Sequence, residues 1–258
     1  MFISKRDPSV VAIIQARMGS SRLPGKVLMD ICGKPMLVQQ VIRARRANTL
    51  GQVVVATTIS PEDDRVAEVC RAFGIPYFRG DPYDVLDRYF RAAQLFHAKT
   101  IVRLTGDCPV IDPRMIDSTV SGFFAAEVDF AANRLPPPWK RTTPIGMDTE
   151  VVNLDNLARA WHEADQKHER EHVMPYFYQR EGYFKVVVFQ HEPDLSQYRL
   201  TVDTPEDFAL IKQIYKYFEP STEFSLAEII ALLKQKPELA ALNAQVAHKD
   251  YQEIDSRV

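Results

Sequence analysis

Three short stretches carry the residues best suited to chemistry. The first runs from Val10 to Lys26. Val10–Ile14 is apolar and rich in β-branched residues, and reads as a fully buried strand. It ends abruptly in Gln15, Arg17, Gly19, Ser20, Ser21, Arg22, Pro24, Gly25 and Lys26. A buried strand that opens into a Gly/Ser loop carrying two arginines and a lysine can hold phosphates. Backbone N–H groups and hydroxyls wrap the anion, and the cations neutralise it. The loop has neither the Gly-Lys-Ser/Thr of a Walker loop nor the glycine spacing of a dinucleotide fold.

The second stretch is RLTGDCPVIDP, Arg103 to Pro113, where Asp107 directly follows a predicted strand. A carboxylate there, beside a phosphate-holding loop, suits Mg²⁺, which takes one or two protein carboxylates and completes its shell with phosphate oxygens and water. Asp112, immediately before Pro113, reads instead as a helix cap. The third stretch is Tyr198 to Phe208. Tyr198, Leu200 and Val202 alternate with Arg199, Thr201 and Asp203, as in a strand. Thr204 then caps a helix with Pro205 first and Asp207 third. Asp203 lies outside that cap, at a strand end like Asp107.

R-M-G-S-S-R-L-P-G-K at Arg17–Lys26, followed by G-K-P-M at Gly33–Met36, resembles the signature of the cytidylyltransferases that make CMP-activated sugars. The 3-deoxy-manno-octulosonate enzymes begin similarly, and the closest resemblance is to the spore coat polysaccharide (SpsF-like) group. G-D-x-P at Gly106–Pro109, R-E-H-V-x-P-Y at Arg170–Tyr176 and V-D-T-P-E-D at Val202–Asp207 extend the match almost to the end. The resemblance implies Mg²⁺-dependent transfer of CMP from CTP to an anionic sugar or related acceptor, with release of pyrophosphate, in cell-surface polysaccharide biosynthesis. It implies nucleotide contacts at Gln15, Arg17, Gly19, Ser20, Ser21, Arg22, Lys26, Arg103 and Thr105. Arg22 and Lys26 are the candidates for neutralising the α-phosphate and the departing pyrophosphate. Asp107 and Asp203 are the expected metal ligands. The octulosonate enzymes have Gln where Thr105 stands here.

On the acceptor side the candidates are Lys140, Arg141, Glu150 and His172. Lys140 and Arg141 read equally as solvated charges, and His172 as a buried, hydrogen-bonded histidine. Related enzymes project an arm at 129–152 that helps form a homodimer and contacts the acceptor sugar, which the resemblance implies here too. Its Trp139, between prolines and basic residues, reads as exposed.

The elements that position these groups alternate. Helices are expected at Lys34–Ala47, Pro61–Phe73, Asp84–His97, Pro113–Phe124, Leu154–Ala164, Glu169–Tyr178, Pro205 onward and Ser225–Lys234. Strands are expected at Gln52–Thr57, Pro76–Phe78, Lys99–Leu104 and Phe184–Phe189. Such alternation predicts a three-layer, doubly wound, mostly parallel α/β sheet with ligands at the carboxyl ends of the strands, and the resemblance implies the nucleotide-diphospho-sugar transferase type. The expected division is an α/β domain over 1–218 and a helical extension over 219–258. In the extension Leu239 and Leu242 are available for docking.

With 258 residues, 46% hydrophobic and 26% charged, the chain is large enough for one α/β domain. A net charge of −2 and a pI of 6.3 give no global basic field for nucleic acid. Cys32, Cys70 and Cys108 are scattered and suggest a reducing cytoplasm. No run reaches the length of a membrane span, and MFISKRDPSV lacks an apolar signal core. Two rival functions stay open. A glycosyltransferase usually needs Asp-x-Asp at a strand end, and the only close acidic pair, Asp63-Asp64, falls on a predicted exposed helix. A nucleotide-binding module without catalysis is the other.

Overall fold

The computed structural model describes residues 6–247. β1 (Asp7–Gln15) is the central strand, with Val10–Ile14 fully buried. After the loop come a short antiparallel ribbon, β2 (Asp30–Ile31) and β3 (Lys34–Pro35), and then α1 (Met36–Ala44). The helix therefore starts after Lys34, because Lys34 and Pro35 are occupied in pairing with Ile31 and Asp30. The alternation continues with β4 (Leu50–Thr58), α2 (Asp64–Ala72), β5 (Tyr77–Gly80), α3 (Val85–Leu95), β6 (Thr100–Thr105) and α4 (Pro113–Ala126). β7 (Phe130–Ala132) and β8 (Glu150–Asn153) follow, then α5 (Leu154–Glu163), α6 (Lys167–His172), α7 (Pro175–Tyr178) and β9 (Val186–Val188). The chain closes with α8 (Pro205–Phe218), α9 (Leu226–Gln235) and α10 (Pro237–Ala241).

Among the described residues the main sheet has seven strands in the order β5-β4-β1-β6-β8-β7-β9. β4, β5 and β6 run parallel to β1, and only β8 is antiparallel to its neighbours. Successive residues of a strand face opposite sides, and β1 feeds two cores. Val10, Ala12 and Ile14 join the cluster under α1, α4, α8 and α9, while Val11 and Ile13 join the one under α3, α5 and α7. This is the three-layer, doubly wound arrangement expected from the alternation. No described helix is long and apolar enough to cross a membrane.

Three expected elements take another form. The helix over Glu169–Tyr178 breaks at Val173, whose φ is +68°, because Pro175 cannot continue a helix that needs its N–H. Tyr198–Asp203 is no ladder strand; one bridge, Ile145 to Arg199, joins it to its neighbour. It lies instead between loops, where Val202 N donates to Asp107 O at 2.8 Å and Thr201 Oγ1 to the same carbonyl at 3.0 Å. The third departure is Asp63. It ends a 3₁₀ turn and is 1% exposed, so of the acidic pair only Asp64, the first residue of α2, sits on an exposed helix as expected.

The segment from 133 to 149 is irregular and pinned at its base. Asn133 Nδ2 donates to Met147 O and Asn133 Oδ1 accepts from Thr149 N. Trp139 is half-buried edge-on against Tyr178, not exposed. Leu239 packs against the core, whereas Leu242 is largely exposed. The rest of the expected tail, 248–258, lies outside the described residues.

Candidate active site

Strand order reverses between β1 and β6, since β4 and β5 follow on one side of β1 and β6 returns on the other. The crevice beyond the carboxyl ends at such a switch point is where open α/β sheets bind ligands. A cleft of about 250 Å³ lies there. Gln15, Arg17, Gly19, Ser20, Ser21, Arg22, Lys26, Thr105, Asp107 and Asp203 all line it. Gly106 lets the two strand ends meet. Its N–H donates to Gln15 O at 2.9 Å, and a Cβ would lie 2.5 Å from that oxygen.

The loop is held in shape from within and below. Met18 O accepts from Ser20 N and Gly25 N, both at 2.9 Å. Gly25 turns the chain at φ +73°, a conformation glycine adopts without strain. The buried Asp63 carboxylate accepts from Met18 N at 2.6 Å and from the Thr58 hydroxyl. Sequence reasoning missed this role, because Asp63 looked like half of an exposed acidic pair. Asp63→Ala leaves the Met18 N–H without its partner, a cost of about 1–3 kcal/mol, and frees the loop. The expected outcome is nucleoside triphosphate affinity reduced about tenfold (~1.4 kcal/mol), read by calorimetry. An unchanged affinity would show that the loop keeps its shape unaided.

Lys26 is the hub. Its Nζ donates to Val202 O at 2.7 Å and to Asp203 Oδ1 at 2.9 Å, and lies 3.4 Å from Asp107 Oδ2. Asp203 Oδ2 meets Arg22 Nη2 at 2.9 Å and Arg199 Nη2 at 2.7 Å. Burial alone would depress the Lys26 ammonium, but Asp107 and Asp203 outweigh it and the net shift is upward from 10.5. Burial would raise the Asp203 carboxyl, yet Lys26, Arg22 and Arg199 hold it below 3.8. The signs are clear. The Asp203 contribution to stability is complete above 3.8 and is lost as pH falls below it. The Lys26 contribution is complete below 10.5 and is lost above it. Neither group titrates near neutrality.

Among the described residues no cluster of three or more His, Cys, Asp or Glu forms a ready cation cage. The two carboxylates nevertheless fit Mg²⁺. Both are oxygen donors on the wall of one cleft and both are close enough to share one ammonium. The remaining ligands of such an ion are ordinarily phosphate oxygens and water.

Arg103 is not in this cleft. It is buried behind Thr105 and paired with Glu150. Burial opposes its charge, but Glu150 prevails and raises its pKa above the ordinary 12.5. The pair lines a second pocket of about 160 Å³ with Thr105, Arg134, Asp148, His172 and Tyr178. Thr105 belongs to both spaces. Arg134 was not anticipated, since a lone arginine before Leu135-Pro136 carries no signal. Lys140 and Arg141 reach neither space. Lys140 pairs with Asp194 at 2.9 Å and is 70% exposed, and Arg141 clasps Asp148 at 2.8 and 3.0 Å.

His172 faces the second pocket, but its Nε2 has no hydrogen-bond partner, contrary to the expected satisfied histidine. Burial, then Arg103, push its pKa down to about 4. The unfolded chain therefore takes up a proton near pH 6.5 that the folded chain refuses until about pH 4. Stability falls with pH across that window, by about 2 kcal/mol between pH 7 and 4.5. Urea unfolding of wild type and His172→Gln at both pH values checks this. The variant should lose less on acidification, and equal losses would contradict it.

The sheet order and the cleft at its switch point define a nucleotidyltransferase of the nucleotide-diphospho-sugar transferase fold. The family model for cytidylyltransferases matches residues 11–248, and the chain belongs to that family. It is 34% identical to the spore coat polysaccharide biosynthesis protein SpsF of Bacillus subtilis over 241 residues, 90% of this chain and 96% of that one. A 3-deoxy-manno-octulosonate cytidylyltransferase from Geobacter sulfurreducens is 41% identical over 115 residues, 44% of each chain. The solved structure of a cytidylyltransferase from Leptospira borgpetersenii superposes with a TM-score of 0.84 at 35% identity, covering 94% of this chain and 99% of that one. The chain is thus an enzyme of nucleotidyl transfer, not a glycosyltransferase.

Proposed function

We propose that the enzyme transfers CMP from CTP to an anionic sugar or related acceptor, releases pyrophosphate, depends on Mg²⁺, and serves cell-surface polysaccharide synthesis in the cytoplasm. One observation carries the reading. A single cleft joins a Gly/Ser loop, two cations on that loop and two carboxylates, Asp107 just beyond β6 and Asp203 just before α8. The likeness to SpsF supports the polysaccharide setting.

In this reading the loop from Arg17 to Lys26 cradles the triphosphate. Lys26, whose ammonium the two carboxylates favour, and Arg22 offset charge that develops on the α-phosphate and the leaving pyrophosphate. Asp107 and Asp203 would hold the divalent cation, which supplies charge neutralisation and orientation of phosphate oxygens when bound. Gln15 and Thr105, at the paired ends of β1 and β6, flank the space where the base would rest. The second pocket, reached past Thr105, is the proposed acceptor space. There Glu150 is fixed by Arg103, and unprotonated His172 presents an open ring nitrogen. The segment 129–152 is the proposed dimer contact.

The test is thermal stability with each nucleoside triphosphate, with and without Mg²⁺. A ligand at a hundred times its dissociation constant stabilises the folded state by about 2.7 kcal/mol. CTP with Mg²⁺ should do so in wild type, and the gain should largely vanish in Asp107→Ala and Asp203→Ala. Equal gains in both variants would remove the two aspartates from the site.

A further inference from the structure

The C-terminal extension reaches the active site through one buried amide. Asn243 follows α10 and is 4% exposed. Its Nδ2 donates to Asp207 Oδ1 at 2.8 Å and to Arg199 O at 3.0 Å. Asp207 is fully buried, and its carboxylate also accepts from Arg199 Nε at 2.8 Å and Nη2 at 2.9 Å. The same Arg199 Nη2 reaches Asp203 Oδ2 at 2.7 Å. Asp203 in turn holds Lys26 and Arg22. The line from Asn243 to the cleft wall is therefore continuous: amide, carboxylate, guanidinium, carboxylate.

Asp207 already has a local task as the third residue of the α8 capping box, where it accepts from Thr204 N at 3.2 Å. That task needs neither Arg199 nor Asn243. The extra partners have another consequence. Arg199 Nη2 is shared between Asp207 and Asp203, so its position depends on how firmly Asp207 is held from the far side. Asn243 supplies that hold, and it grips the Arg199 backbone as well. Four residues further on, Ala247 O lies 3.5 Å from Arg22 Nη1, on the other guanidinium that faces Asp203.

We infer that Asn243 is a positioning residue: through Asp207 and Arg199 it aims the Asp203 carboxylate at the cation that accompanies the nucleotide. The inference rests on the reading of Asp203 as a metal ligand. Groups that orient a metal ligand from behind are commonly worth 10- to 100-fold in metal affinity, and a carboxylate whose backing is removed loses its direction before it loses its charge.

The probe is Mn²⁺ in the presence of CTP, with free Mn²⁺ counted by electron paramagnetic resonance, so that no acceptor is required. Asn243→Ala should weaken Mn²⁺ binding about tenfold. Asn243→Asp sets a second carboxylate against Asp207 and should weaken it further. Leu239→Ala, in the same extension and packed against the core, should lower the melting temperature and leave Mn²⁺ affinity well short of the tenfold loss expected when a group backing a metal ligand is removed. Mn²⁺ affinity unchanged in Asn243→Ala, or shifted equally by Leu239→Ala, would overturn the inference alone. If wild type with CTP binds no Mn²⁺, or binds it as well after Asp203→Ala, the metal reading fails with it. Should the Asn243 variants not fold, hydrogen exchange of wild type decides. Coupling is reciprocal, so Mn²⁺ with CTP must slow exchange of amides 238–243, and unaltered exchange there refutes the assignment.

Discussion

Replacing Lys26 with methionine lowers turnover about 10²- to 10³-fold, roughly 3–4 kcal/mol of transition-state stabilisation, while the loop keeps its fold. The argument starts from burial. The residue is 9% exposed, and methionine retains its length and apolar stem. What disappears is the ammonium and its contacts to Val202 O, Asp203 and Asp107. Arg22 and Arg199 still face Asp203, and the Asp107 side chain keeps 26% of its surface in water. Neither carboxylate is therefore stranded in an apolar interior, and the loss falls on chemistry more than on folding.

A second effect has the opposite sign. In wild type one ammonium already satisfies both carboxylates, so a divalent cation arriving without nucleotide must compete with it. Lys26→Met removes the competitor. Mn²⁺ affinity in the absence of CTP should rise even as turnover falls. Pyrophosphate release with an acceptor that wild type uses gives the first number, and paramagnetic titration of the apoenzyme gives the second. Turnover within tenfold of wild type would mean that Lys26 is a structural strut between two acids.

The parts of the site that were legible from sequence are those encoded over a few consecutive residues. A buried β-branched run followed by Gly, Ser and Arg announces its own loop, Asp107 comes two residues after β6, and Asp203 directly follows the alternating Tyr198, Leu200 and Val202. The sheet was legible for the same reason. Period-2 and period-3.6 patterns are local, and their alternation restricts the topology. What stayed hidden depends on distance along the chain. Asp63 acts on Met18 from 45 residues away, and Asn243 acts on Asp207 from 36 away. Neither spacing repeats any local pattern. Arg103 misled in another way. It lies two residues short of the end of β6 and directly across from Glu150 on β8, and that cross-strand ion pair holds it at the second pocket. Lys140 and Arg141 misled because a basic pair has no visible partner in sequence, while the fold supplies Asp194 and Asp148.

Arg43 is the strongest case of that kind, and its removal should be the most destabilising single change away from the cleft. In sequence it is one of three arginines near a helix end, where cations ordinarily face water and favour the dipole. In the structure it is 1% exposed. Its Nε donates to Ile111 O, Nη1 to Thr222 O and Nη2 to Phe224 O, each at 2.9 Å, and its guanidinium lies 4.2 Å from the Phe224 ring centre. Burial lowers its pKa from 12.5, a sign of how far it sits from solvent. One planar fork thus ties α1 to the turn before α4 and to the turn that starts α9. Arg43→Met keeps the packing volume but leaves these carbonyls without their donor, at a cost of about 1–3 kcal/mol for each buried one. Thr222 retains Arg46, so its loss is partly covered. A net loss of about 3 kcal/mol follows, which for a chain of this size lowers the melting temperature by roughly 6–12 °C. Because α9 and α10 hang from that turn, proteolysis should open first between 219 and 225, ahead of the sheet. A loss under about 1 kcal/mol, the net value of one ordinary hydrogen bond, would mean that water replaces the guanidinium and that the extension is held by its apolar face alone.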